Sequence, residues 1–193
     1  VRRALITALL AAAALQAAAC LGGLGDSRAA RSVALAPEAA LELAVRADQA
    51  DWLLRSQGGW CGARSVRFGG DSEDPAAFEV HAVLFRSVAQ ATHAYTRLTP
   101  EYLALIYRDR MTRPPRPFAY PEALAGDASA TTLYGVRLPP PFSAEIDLSG
   151  QLTTLRAGRV VLLLDSVGVT PDRFVPAVER LARAASALDP AAC

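Results

Sequence analysis

The sequence predicts an α+β domain: a mostly antiparallel, twisted sheet of four to six strands flanked by helices. Two observations carry this expectation. Strand-like segments in the second half follow one another through a short glycine turn, as in LTTLRAGRVVLLLD. Capped helical segments stand near both ends and in the middle instead of alternating regularly with the strands. Grouped strands and grouped helices argue against a parallel α/β wind.

The chain opens on Arg2 and Arg3, continues as an apolar stretch from Ala4 to Leu15, and reaches Ala17-Ala18-Ala19 before Cys20. A basic start, a short apolar core and small residues at the end read as a secretory leader over residues 1–19. That core is shorter than the roughly 20 residues a membrane-spanning helix needs. Alanines at −1 and −2 before Cys20 resemble the lipobox of bacterial lipoproteins, which marks Cys20 for lipid attachment. Ala17 at −3 departs from the motif, whose leucine here stands further back at Leu15. Plain cleavage after Ala19 is the alternative. The expected location is therefore the cell envelope, extracytoplasmic and anchored to the membrane through an N-terminal lipid.

Composition adds limits. All 20 basic residues are arginine, and neither Lys nor Asn occurs, which fits the codon usage of a high-GC bacterium. Losing Arg2 and Arg3 with the leader leaves 18 arginines against 19 acidic residues. A charge near −1 lacks the basic bias of nucleic-acid-binding surfaces, so no nucleic-acid partner is expected. With Cys20 lipidated, Cys61 and Cys193 make an even pair in an oxidising compartment. Bridging them closes a loop of about 130 residues, for which chain entropy gives on the order of 5 kcal/mol at most. Two free thiols are the alternative. No CxxC occurs and the histidines, His81 and His93, lie far from the cysteines in sequence, so no metal is expected. Walker A, HExxH and dinucleotide fingerprints are also missing, and no cofactor is expected.

Element by element, residues 20–36 read as the lipidated N-terminus and a tether, and 37–193 as one domain. PEAALELAVRADQADWLLRSQ has Pro37 at a first helical position and the Gly58-Gly59 pair as a stop, predicting one long helix. Asp48, Asp51 and Trp52 then fall on a solvated helical face. A short strand follows around Ser65 to Phe68. In FEVHAVLFR, Phe78, Val80, Ala82 and Leu84 alternate with Glu79, His81, Val83 and Phe85, predicting a central strand. Ser87 with Gln90 forms a capping box for a helix to about Leu98, and Thr99-Pro100 opens a second one to about Arg110. The proline-rich stretch MTRPPRPFAYPEALAGD reads as loop. Strands follow at Ala130 to Leu138, Gln151 to Arg156 and Arg159 to Asp165, the last two joined by a hairpin at Ala157-Gly158. The closing helix starts at Thr170-Pro171 and carries Phe174, Val178, Leu181, Ala185 and Leu188 on one stripe.

The strand ending LFRS, the helix AQATHAYTRL, and the segments EALAGDASA, LTTLRAGRVVLLLDSV and PAVERLARAASAL resemble the PknH-like extracytoplasmic sensor domains. More distantly they are similar to PsbP-like lipoprotein domains. The resemblance covers Phe78 to Leu188 and implies an antiparallel sheet flanked by helices with a sensor-type role. The cysteine pattern departs from those families, so no site residue is carried over.

Three places carry chemistry. His81 shares a strand face with Glu79 at i,i+2, a spacing suited to a base and its orienter. Ser166 follows Asp165 at a strand end, outside any G-x-S-x-G. Arg108, Arg110, Arg113 and Arg116 interleave with Tyr107, Phe118 and prolines in an interaction loop suited to anionic headgroups or to a partner protein. No catalytic residue is assigned. The expected function is a non-enzymatic binding domain whose partner is an envelope protein, a polymer or a small apolar ligand. An exported hydrolase using His81 or Ser166 and an apolar-ligand or lipid carrier are the alternatives.

Overall fold

The computed structural model describes residues 28–50, 59–70, 75–98, 111–136 and 148–192. Its centre is one antiparallel sheet of seven strands, not four to six, in the order β1-β2-β3-β7-β6-β5-β4. The strands are β1 (Val45–Ala50), β2 (Trp60–Gly69), β3 (Ala77–Phe85), β4 (Met111–Phe118), β5 (Ala128–Val136), β6 (Leu148–Ala157) and β7 (Val160–Val167). Four helices are described: α1 (28–35), α2 (Glu38–Leu41), α3 (Val88–Arg97) and α4 (Pro171–Ser186). The class is α+β.

β3 lies inside the sheet between β2 and β7 and alternates as its sequence predicts. Phe78, Val80, Ala82 and Leu84 enter one core with Val66, Phe68, Leu162, Leu164 and the apolar stripe of α4. Val83 and Phe85 enter a second core with Ala63, Val161, Leu163, Leu152 and the Ala91–Ala94 face of α3. Apolar residues on both faces are what a helix-covered strand requires. The first core is a chain of rings: Phe174 meets Phe78 edge-on at 5.8 Å, stacks on Tyr120 at 5.6 Å, and Phe78 meets Phe68 at 6.5 Å. Such offset and edge contacts add to area burial.

Local signals hold where the sequence read them. Ser87 Oγ accepts from the Gln90 amide at 3.2 Å and starts α3. The β6–β7 turn consists of Gly158 and Arg159, one residue later than the expected Ala157-Gly158 because Ala157 pairs with Val160, with Gly158 at φ +57°, the positive-φ first position that glycine serves in a tight hairpin. Thr170 and Pro171 open α4, and Phe174, Val178, Leu181 and Ala185 are buried.

Three expectations are corrected. The long helix from Pro37 stops at Leu41: Glu42 turns left-handed at φ 54°, and Val45–Ala50 instead forms the edge strand β1 on β2. Residues 51–57 of that expectation lie outside the described residues. A ten-residue β2, longer than the short strand expected, presents an unpaired edge, and pairing it outweighs the modest helical preference of VRADQA. The stretch read as tether contains α1, whose Ala30, Val33 and Ala34 are buried, so packing begins before Pro37. Finally, the proline-rich loop begins as strand β4, paired to β5 with register shifts around Arg113 and Arg116. Proline removes a donor but tolerates an edge strand, which pairs on one side only. The helix expected up to Arg110 lies outside the described residues.

An arginine clamp joins α1 to the sheet. Asp48 on β1 accepts from Arg64 Nε and from Arg31 Nε, while Arg64 Nη2 also donates to the Asp48 carbonyl at 3.2 Å. The Arg64 hydrogen bond, followed by that of Arg31, holds the Asp48 carboxyl below its usual range against the opposing effect of burial. A depressed folded-state pKa gives stability that is present above the unfolded value of about 3.9 and lost as pH falls through the folded value. The urea midpoint should therefore fall below about pH 5, and Asp48→Asn should show a smaller fall between pH 6 and pH 3. An identical acid slope in the variant would remove the clamp from the account.

Candidate functional site

The uncapped end of the second face collects the polar groups that the sequence singled out. Antiparallel register sets Ser65 opposite His81 and Arg67 opposite Glu79, with Asp165 on the other side of Glu79. Ser65 Oγ donates to Glu79 Oε1 at 3.3 Å, and His81 Nε2 stands 3.5 Å from the same oxygen. His81 is 8 % exposed. One step along β7, Asp165 accepts the Tyr134 hydroxyl, whose ring crosses Gly150 of β6. A Cβ at Gly150 would lie 2.3 Å from that ring, so this crossing requires glycine. The cluster sets a hydroxyl and an imidazole beside two carboxyl groups, whose oxygens can present acceptors to a polar ligand.

Ser166 does not join it. The period-two alternation of β7 turns Ser166 to the first face, opposite Phe78 and Gln151. It is 3 % exposed, with its hydroxyl directed at the Gln151 carbonyl at 3.4 Å. His81 and Ser166 therefore lie on opposite sides of the sheet. Among the described residues, no group of three His, Cys, Asp or Glu side chains could hold a metal ion.

The arginine segment forms an edge. On β4, Arg116 and Phe118 stand opposite Leu133 and Thr131, whose parity on β5 is that of the first face. Phe118 is 39 % exposed and meets Tyr120 edge-on at 5.1 Å. Arg113, Pro114, Pro115 and Arg116 line a groove of about 300 Å³ with Leu133, Gly135 and Ser149. Arg108 and Arg110 lie outside the described residues, so the structure brings together two of the four. Behind Phe118, the Tyr120 hydroxyl donates to Gln151 Oε1 at 2.6 Å, and burial raises its pKa above the ordinary phenol value.

Cys61 begins β2 and is held in a disulfide. Cys20 and Cys193 lie outside the described residues. No described helix is long and apolar enough to cross a membrane.

The sequence missed the partners made by pairing. Asp48 finds arginines 17 and 16 residues away, and Tyr134 finds Asp165 at a separation of 31. No local signal marks the second pair, because Gly150, over which the Tyr134 ring passes, lies just before the strand expected at Gln151 to Arg156.

Neither a family model nor a curated protein sequence matches this chain. Among solved structures, it is similar in fold to the extracellular domain of PknH from Mycobacterium tuberculosis. That similarity covers 68 % of each chain with a TM-score of 0.46 and 10 % identity.

Proposed function

We propose that this chain is a membrane-tethered, extracytoplasmic binding domain, held by a lipid on Cys20 and recognising an acidic envelope protein or polymer at the β4–β5 edge. The carrying observation is that Arg116, which lines a groove of about 300 Å³, stands two residues from exposed Phe118 on the same strand β4. Arginine and large aromatic side chains are enriched among the residues that anchor protein interfaces. The sheet separates His81 from Ser166, so a hydrolase could use one of them but not the two together. The filled ring chain between sheet and α4 speaks against an apolar cavity on that face.

In this reading Cys61 pairs with Cys193. The 3₁₀ turn Pro190–Ala192 ends one residue before Cys193, Ala192 packs on the same core cluster as Cys61, and Arg159 Nη2 donates to the Asp189 carbonyl at 2.9 Å. Phe85, Arg159 and the start of β2 lie at one end of the sheet, so the C-terminal segment approaches Cys61.

The test is capture from the native envelope with the full-length protein against Arg116→Glu combined with Phe118→Ala. Arg116 is exposed, and Phe118, 39 % exposed, touches Tyr120 at the outer end of the ring chain, so the variant should stay folded with its melting temperature lowered by only a few degrees. Capture of the bound component should fall at least tenfold, as expected for about 2 kcal/mol lost at an anchor pair. Equal capture by both proteins would place the binding surface elsewhere.

A further inference from the structure

We propose that the end of the sheet bearing Arg28, Arg86 and Val88 is a docking surface for an anionic bilayer; this rests on the lipid anchor at Cys20. Chain direction identifies that end. β1 runs from Val45, opposite Phe68, to Ala50, opposite Arg64. Before it, α1 touches Asp48 through Arg31 and leads through α2 to Glu42, which pairs with Arg173 at the start of α4. α1 therefore runs antiparallel to β1, and Arg28 points toward the end where β3 closes at Phe85. Arg86 is at that end, its amide donating to the Gly59 carbonyl at 3.2 Å, as is Arg159 of the β6–β7 turn.

Two arguments select lipid as the occupant. The first is length. Seven residues lie between Cys20 and Arg28, and the eight Cα steps across them reach at most about 28 Å when fully extended. A chain of this size folds to roughly 40 Å across, so the lipid holds the Arg28 end within less than a domain diameter of the headgroups. The second is charge. Arg28 and Arg86 are exposed and make no ion pair among the described residues, whereas of the acidic side chains at the same end Asp127 is taken by Arg156 at 2.7 Å and Asp189 accepts the Ala191 amide at 2.7 Å. At the far end Asp172 is exposed on the first turn of α4, and Arg173 beside it is taken by Glu42 at 3.1 Å. Beside Arg86, Val88 is 48 % exposed, a small apolar side chain placed at headgroup level. Anionic lipid then favours one orientation: the Arg28 end down, the Asp172 end outward, and the groove at Arg116 reached from the side.

Hydrogen exchange of the lipidated protein on vesicles reads this orientation. On phosphatidylcholine vesicles containing one third phosphatidylglycerol, peptides covering residues 84–90 and 156–161 should exchange at least threefold more slowly than on phosphatidylcholine alone. Peptides covering 166–172 should not change. Arg28→Glu with Arg86→Glu should abolish the difference, each removed charge weakening contact roughly fivefold, while the protein still floats with the vesicles. The comparison of two lipids needs no variant and decides the matter if the double variant misfolds. Slowing at 166–172, or equal exchange on both vesicles, would overturn the proposal. If mass spectrometry finds no acyl group on Cys20, the anchor reading fails, and coupling Cys20 to a maleimide lipid on the same vesicles still reads the docking surface separately.

Discussion

Phe174→Ala should lower the unfolding free energy by about 3–5 kcal/mol, the range for deleting a buried aromatic. The ring is in the middle of the chain Phe118–Tyr120–Phe174–Phe78–Phe68 and is the one contributed by α4. Its loss opens a cavity between helix and sheet and leaves Tyr120 without its stacking partner, so the loop after β4 loosens as well. At about 2–4 °C per kcal/mol for a domain of this size, the melting temperature should drop by roughly 10 °C. Phe174→Leu should recover much of the loss by refilling volume. A drop of less than about 1 kcal/mol in Phe174→Ala would mean that the first core is not organised around this helix.

The second large effect concerns the proposed Cys61–Cys193 bridge. Cys193→Ser should cost about 2–5 kcal/mol in the unreduced protein, and reductant should have no further effect on the variant. In the parent chain, reductant should produce a loss of the same size. Alkylation of both Cys61 and Cys193 in unreduced protein would contradict the pairing. The consequence for function is positional: the bridge fixes the C-terminus at the end that we place against the membrane.

What the sequence disclosed follows the range of its signals. β3, the α3 cap at Ser87, the turn at Gly158 and the Thr170-Pro171 start of α4 rest on residues within a few positions of one another. The errors rest on long-range pairing. Leu41 and Val45 share a helical spacing, yet Val45 belongs to a strand because β2 needs a neighbour. Prolines 114, 115 and 117 read as breakers because one-sided edge pairing leaves no local mark. α1 carries small buried residues, Ala30 and Ala34, whose packing is invisible to a hydrophobic period. The candidate site divides in the same way. The Glu79–His81 spacing was legible on one strand, whereas Ser65, Asp165 and Tyr134 arrive from other strands. For Arg113 and Arg116 the residues were legible and the strand that presents them was not.

The central claim is that this domain works at the membrane surface on a lipid carried by Cys20, and the mass of its mature N-terminus tests it most directly. Protein isolated from the native envelope should begin at Cys20, carry a diacylglyceryl thioether on that sulfur, and leave the membrane fraction when Cys20 is replaced by Ser. An unmodified Cys20 after cleavage at Ala19, with the protein recovered in the soluble fraction, would contradict the account.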